Sequence, residues 1–136
     1  MINEIREYIA KCPLLADGKI NVNYLDTEPI TYSIDSVPSN PVITRYADGG
    51  QLCRELFVIA SRELYSKKVS DNAKVARFYE EFAGWIEEQD RKRNFPDLPA
   101  PISAQSIEVL TGGYLFDLGE MDARYQIQCA LTYYKD

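Results

Sequence analysis

Two classes of side chain alternate along the C-terminal segment 124–134. Apolar residues and tyrosines occupy the odd-numbered positions, and Gln, Ala, Thr and Tyr occupy the even-numbered positions from 126 onward. A period of two residues predicts a long strand with one buried face. The second face is uncharged apart from Arg124 and ends on Tyr134, and tyrosine suits surfaces that a partner covers.

Two earlier segments have the same alternation. "KINVNYL" carries its larger side chains at positions 20, 22 and 24, and "PITYSIDSV" carries them at positions 30, 32 and 34. Each predicts a strand with one buried face. Pro38 and Pro41 follow, and they predict a loop or a bend at a sheet edge, because proline donates no ladder hydrogen bond.

The segments "VITRY", "ADGG" and "QLCRELFVIASRELY" predict a β-hairpin. Asp48, Gly49 and Gly50 supply the residues that tolerate positive φ in a tight connection. The second arm of this hairpin is apolar on both faces around Phe57 and Val58. Such a strand is central in its sheet or contacts something beyond it.

Helical spacing appears twice. Ile2, Ile5 and Ile9 predict a short amphipathic helix that ends before Pro13. Further along, Ser70 or Asp71 is expected to cap a helix of about six turns. Its apolar stripe has i, i+3, i+4 spacing and comprises Val75, Phe78, Tyr79, Phe82, Trp85 and Ile86.

The remaining strands, "AQSIEVL" and "ARYQIQCALTYY", follow the long helix, and the segment Gly112–Asp122 is expected to join them. The element order α-β-β-β-β-α-β-β with short hairpin links predicts one α+β domain over residues 1–136. We expect a mostly antiparallel sheet, with the short N-terminal helix and the long amphipathic helix packed on one face.

Charge and cysteine content narrow the classes of function. The net charge of −6 disfavours binding to nucleic acid phosphates. Cys12, Cys53 and Cys129 have no close spacing, which indicates reduced thiols in a core. The charged N-terminus does not resemble a signal peptide, and no segment has the apolar length of a membrane span, so we expect synthesis in the cytoplasm.

The residues needed for most catalytic sites are missing from the sequence. The chain contains no histidine, which excludes histidine-based nucleophilic triads and most zinc sites. Asp117, Glu120 and Asp122 lack the spacing of a calcium loop and are better explained as an acidic hairpin tip. We therefore expect no enzyme, no cofactor and no metal site.

The segment "LTGGYLFDLGEMDARY" places Leu110, Tyr114, Leu115 and Phe116 around two glycines in a predicted loop. Large apolar side chains are rarely left together in water. Two explanations stay open at this point: the segment folds back on the domain, or a partner covers it.

Three phrases carry a resemblance to a known family: "CPLLADGKINVNYLDTEPITYSID", "FYEEFAGWIEEQDRKRNFPDLP" and "SIEVLTGGYLFDLGEMDARYQIQCALTY". Together they resemble the minor capsid or tail-terminator-like proteins of tailed phages and prophages of Gram-positive bacteria. The resemblance covers nearly the whole chain and implies a small α+β structural virion protein, with a mainly antiparallel sheet, helices packed on it and no catalytic residues. It also implies a ring, typically a hexamer, that caps the tail tube and contacts the head connector.

The expected partners are therefore further copies of the chain, the tail tube protein and a head completion or connector protein, with neither sequence-specific nucleic acid nor a membrane. The alternative is a small-ligand-binding or host-complex-modulating α+β protein without catalytic activity. The expected interface lies on the hairpin, the glycine-rich segment and the last strand, and comprises Arg45, Tyr46, Asp48, Gly49, Gly50, Tyr114, Leu115, Phe116 and Tyr134.

Overall fold

The computed structural model describes residues 1–15, 20–22, 31–64, 69–118 and 122–136. Within these ranges, two helices and a 3-10 turn, Pro13–Leu15, accompany seven strands. In chain order these elements are α1 (Ile2–Ile9), β1 (Ile20–Val22), β2 (Thr31–Ser36), β3 (Val42–Arg45), β4 (Gln51–Leu64), α2 (Val69–Lys92), β5 (Ile102–Val109), β6 (Tyr114–Leu118) and β7 (Asp122–Lys135).

The centre of the sheet is a long antiparallel ribbon of β4 and β7. The two strands have 14 residues each and pair along their whole length, from Gln51 opposite Lys135 to Leu64 opposite Asp122. On the outer side of β4 lie β2 and β3, and on the outer side of β7 lie β5 and β6. β1 extends the sheet beyond β2.

Each flank of the ribbon is one interrupted strand. Between β2 and β3, the chain stays beside β4 because the Val37 amide donates to the Leu56 carbonyl (3.0 Å) and the Arg54 amide donates to the Pro41 carbonyl (2.7 Å). Between β5 and β6, the Leu110 amide donates to the Gln128 carbonyl (2.8 Å). The prolines interrupt the first flank, as expected from their missing donors.

Both helices pack on the same face of the sheet. Their buried side chains share one core cluster with the odd-numbered residues of β4 and β7, and Tyr8 of α1 meets Trp85 of α2 with ring centroids 5.5 Å apart. The most deeply buried large side chains of this core are Ile5, Ile9, Ile34, Phe57, Ile59, Phe82, Ile86, Ile107, Ile127 and Leu131.

The α+β class, the mostly antiparallel sheet, the hairpin and the helical stripe are confirmed. The apolar positions of α2 enter the core because every third or fourth residue returns to the same side of a helix. Apolar residues on both faces of β4 reflect its central position, since it has a paired strand on each side. Cys12, Cys53 and Cys129 are free thiols and are buried.

Three details of the prediction are wrong. The segment Gly112–Asp122 is not only a connection, because Tyr114–Leu118 form β6 and pair with β7. β1 and β2 pair in parallel and are therefore not joined as a hairpin. α2 begins at Val69, so Ser70 and Asp71 lie inside its first turn and do not cap it. Tyr24, Ile30 and Glu120 lie outside the described residues.

Candidate functional site: the helix-free sheet face and the hairpin arm

The sheet face opposite the two helices, which we call the helix-free face, carries the even-numbered residues of β4 and β7. It follows from the strand period that these residues point away from the odd-numbered residues in the core. The face contains Ala60 and Ala130, which are fully buried although no helix covers them. Longer neighbouring side chains on the same face account for this burial.

Two ion pairs cross the helix-free face. Arg54 of β4 reaches over β7 to Glu108 of β5, with an Nη2–Oε1 distance of 3.1 Å. Arg124 of β7 reaches over β4 to Asp35 of β2, with an Nη2–Oδ2 distance of 2.8 Å. Ala130 of β7 lies between Arg54 and Glu108, and Ala60 of β4 lies between Arg124 and Asp35. The short side chains of these alanines leave room for the two guanidinium groups.

A hydrogen-bond network occupies the end of the face where Tyr114 lies. Gln126 donates to the Tyr114 hydroxyl (Nε2–Oη 2.6 Å), and Gln128 donates to the same oxygen (3.3 Å). Arg124 donates to the Gln126 side-chain carbonyl (3.4 Å). The uncharged amides of the last strand are thus bonded within the chain, so these residues do not need a partner to satisfy them.

The same hydrogen bonds show which of the two explanations holds for the glycine-rich segment at Tyr114. The segment folds back on the domain as β6, and the Tyr114 side chain is partly buried against β7. Its predicted role as an interface residue gains no support from this position. The side chains of Leu115 and Phe116 lie outside the described part of the chain.

The hairpin arm, which we define as residues 42–50, lies at the opposite end of the sheet and comprises β3 and the turn that follows it. Every residue of β3 after Val42 is exposed. Ile43 is the extra residue of a β-bulge between Val42 and Thr44, and its side chain is 53% exposed. Tyr46 is 46% exposed. A bulge re-aims a side chain, here an isoleucine that points toward solvent.

The turn of the arm is held by local bonds and by one ring. The Gly50 amide donates to the Asp48 carboxylate (N–Oδ1 2.9 Å), the Tyr46 amide donates to the Gly50 carbonyl (2.8 Å), and Gly49 has a φ of 93°. The Tyr134 ring lies against Gly50, where an added Cβ would overlap its hydroxyl. These contacts define one conformation of the turn in the isolated chain.

The predicted interface residues separate into two groups. The first group meets at the hairpin turn and comprises Tyr46, Asp48, Gly49, Gly50 and Tyr134. The Tyr46 and Tyr134 rings are 6.1 Å apart, and the exposed Arg45 adjoins the group. Tyr114 pairs with Gln126, eight residues from Tyr134 along β7, which corresponds to about 27 Å in a strand. The two groups do not form one surface.

Sequence reasoning missed a groove between α2 and the connection from β5 to β6. Its volume is about 250 Å³, and its lining comprises Ala76, Tyr79, Glu80, Ala83, Gly112 and Gly113. The Tyr79 hydroxyl is bonded to the Ser61 hydroxyl (2.6 Å) and donates to the Tyr125 carbonyl (3.0 Å), which fixes the ring at one wall. The available signal was the small residues at 76 and 83, on the same side of a helix as Glu80.

Burial lowers the reactivity of two of the three thiols. Burial raises the pKa of the Cys129 thiol to about 12 and also raises the pKa of Cys12, so both are protonated and poorly nucleophilic at neutral pH. Burial likewise raises the pKa of the Glu55 carboxyl, and the positive charge of the N-terminal ammonium partly offsets this increase. Within the described ranges, no group of three or more Cys, Asp or Glu side chains is arranged to hold a metal ion.

The comparisons with known proteins place no family name on this chain. No protein-family model matches it, and a search of curated proteins finds no significant similarity. Among the helices in the described part of the chain, none combines the length and the apolar composition needed to cross a membrane.

Proposed function

We propose that this protein is a structural component of a tailed phage or prophage. In this proposal it forms a ring on the end of the tail tube, stops tube growth and contacts the head connector. The class of protein is proposed from the three sequence phrases that resemble tail-terminator-like proteins. The α+β fold, with two helices on one face of an antiparallel sheet, agrees with what that resemblance implies.

The observation that carries an assembly role is the hairpin arm. It carries two large apolar side chains that are about half exposed: Ile43 lies on the edge strand β3, and Tyr46 lies at the start of the turn that follows it. Exposed apolar groups of this kind mark interaction sites, and an edge strand is a natural place for a neighbour. The buttress of Tyr134 on Gly50 keeps the arm ordered, which reduces the entropy lost on association.

The surface charge is compatible with a ring around DNA. The net charge of −6 includes the exposed glutamates of α2, among them Glu80, Glu81 and Glu87. A negative wall repels phosphates and allows DNA to pass without being held. In this proposal the virion is where the protein acts, after synthesis in the cytoplasm of the bacterial host.

Tail tubes assembled from the tube protein of the same genome provide the test. The purified protein is added to growing tubes, and tube length is measured by electron microscopy together with cosedimentation of the protein. The proposal expects binding at tube ends only, at a molar amount that does not rise with tube length, and arrest of further growth.

A control separates end-capping from general adhesion. The same protein is added to preformed tubes that have been sheared to twice as many ends, and the bound amount should double. Binding in proportion to tube mass, or no binding, contradicts the proposal. In that case the alternative of a small-ligand or host-complex protein becomes the better hypothesis, and the groove beside Tyr79 is the first place to search.

A further inference from the structure

We infer that the hairpin arm of one copy inserts into the α2 groove of a neighbouring copy, with Tyr46 as the side chain that enters. The inference rests on the proposed assembly role and deepens it, because it names the two surfaces that join. It does not depend on the tail tube, so the contact should form in a solution of the protein alone.

The exposed apolar side chains point to the arm as one of these two surfaces. Within the described part of the chain, three large hydrophobic side chains are exposed: Ile43, Tyr46 and Leu110. The first two belong to the arm. Leu110, 38% exposed, comes shortly before the groove glycines Gly112 and Gly113 in the chain and is not part of the groove lining, so the acceptor surface is the groove itself. A donor patch and an acceptor patch on one molecule are what a repeated contact between identical subunits requires.

The size and lining of the groove fit one aromatic side chain. Pockets for small ligands usually have about 300–1,000 Å³ and several converging polar groups. This groove has about 250 Å³, and its side chains are two alanine methyls, one tyrosine ring and one carboxylate. The exposed backbone of Gly112 and Gly113 leaves room for an incoming ring, whereas Tyr79 is itself 2% exposed and supports the groove from beneath Gly113.

Opposite charges on the arm and on the groove help to orient the two copies. Glu80 is the one ionisable acid in the lining, and it is exposed. Arg45 precedes Tyr46 on the arm and is also exposed. In the inferred contact, Arg45 of one copy pairs with Glu80 of the other at the rim of the groove. A rim ion pair of this kind contributes modestly to affinity and helps to set the orientation.

The arm cannot reach the groove of its own molecule. It leaves the sheet where Gln51 pairs with Lys135, whereas Tyr79 is bonded to Ser61 and Tyr125. Ten residues of β4 separate Gln51 from Ser61, which is about 34 Å of strand. The contact must therefore join two copies through different surfaces, and a repeated contact of this type closes as a ring or grows as an open chain.

Two variants remove one surface each. Tyr46→Ser removes the inserted ring, with Ala47→Ser in the same turn as its control. Ala76→Trp fills the groove from the exposed side of α2, with Glu81→Trp on another side of the helix as its control. Mass is measured by light scattering after size exclusion over a range of concentrations, and circular dichroism confirms that each variant is folded.

We expect the unchanged protein and both control variants to form oligomers. Tyr46→Ser and Ala76→Trp should each weaken association by about 30-fold or more, the size of an interface hot spot. An equimolar mixture of these two variants should give a heterodimer and no larger species, because one copy retains an intact groove and the other retains an intact arm.

A covalent test covers the case in which a variant does not fold. Tyr46→Cys and Ala76→Cys proteins are mixed and oxidised, and a disulfide between copies is expected in the mixture at a higher yield than in either protein alone. A strict monomer at every concentration, equal effects of variants and controls, or no cross-link overturns the inference. Oligomers that ignore tail tubes would leave this contact intact and reject only the tail role.

Discussion

Two tyrosine rings lie directly against glycine backbone in this protein. Tyr134 lies on Gly50 at the hairpin turn, and Tyr79 lies on Gly113 at the groove. The two sites differ in the freedom of the ring. The end of Tyr134 can swing away into solvent, whereas Tyr79 is buried and its hydroxyl is bonded to two different strands. Close approach therefore has different consequences for stability at the two glycines.

Gly113→Ala is expected to destabilise the protein by about 2 kcal/mol, as overpacking of a filled site does. The added Cβ would overlap the Cβ and Cγ atoms of Tyr79 and lie 2.9 Å from Cδ2. Because Tyr79 is held at both ends, the backbone of the β5–β6 connection must shift instead. Urea unfolding followed by circular dichroism measures the change in free energy.

Gly112→Ala is the matched control, one residue earlier in the same connection. An added Cβ there has no neighbour within 4 Å, and the φ of Gly112 lies outside the range that favours glycine. Its stability should equal or slightly exceed that of the unchanged protein, because alanine restricts the unfolded chain. Equal losses in the two variants would show that backbone flexibility, and not contact with Tyr79, matters at this site.

At the scale of elements, the flanks of the β4–β7 ribbon are tied to it by the two ion pairs of the helix-free face. Asp35 and Arg124 are each 22% exposed, whereas Arg54 and Glu108 are 38% and 52% exposed. Arg124 binds one oxygen of Asp35, and the other oxygen, Oδ1, is buried and has no hydrogen-bond partner in the described structure. Loss of Arg124 thus leaves a carboxylate that water reaches poorly.

Double-mutant cycles should therefore give unequal coupling energies for the two pairs. For Arg124→Met with Asp35→Asn we expect about 2 kcal/mol, as for hydrogen bonds between charged groups. For Arg54→Met with Glu108→Gln we expect about 0.5 kcal/mol, as for exposed pairs. Urea unfolding at low and high salt measures both. Equal coupling energies, or an equal decrease of both in high salt, would contradict this ranking.

How well each element could be predicted depended on how local its determinants are. α2 and the Asp48–Gly50 turn follow from spacing and turn chemistry within a few residues, and both were predicted. β6 forms by pairing with β7, which no local pattern indicates. The two glycines before β6 are typical of a turn, so the segment was predicted as a connection. The parallel pairing of β1 with β2 is likewise absent from any local pattern.

The candidate site shows the same limit. The predicted interface residues of the hairpin lie together because they are neighbours in the chain, and the pairing of β7 with β4 brings Tyr134 to them. Tyr114 was included because large apolar side chains surround two glycines in a predicted loop, and it lies at the other end of the sheet. The groove was not predicted, because its small residues come from a helix and a connection about thirty positions apart.

For the whole molecule, the β4–β7 ribbon divides the fold into a protected centre and exposed margins. Each ribbon strand has a paired neighbour on both sides, and Phe57, Ile59, Ile127 and Leu131 are buried beneath the helices. β3 pairs on one side only and has little burial. Amides in the ribbon centre should thus exchange through global unfolding, and those of β3 through local opening.

Hydrogen exchange followed by mass spectrometry extends this contrast to the proposed assembly. In dilute protein, peptides covering residues 56–60 and 127–131 should exchange slowest, and peptides covering residues 42–47 should exchange fast. On concentration into oligomers, protection should rise in two separated segments, 42–47 of the arm and 76–83 of α2, because each copy uses both surfaces of a head-to-tail contact. Tyr46→Ser should abolish both increases, since the arm and the groove are covered by the same event. Protection that rises in the arm alone would indicate pairing between identical arms, which is a two-fold contact that cannot build a ring.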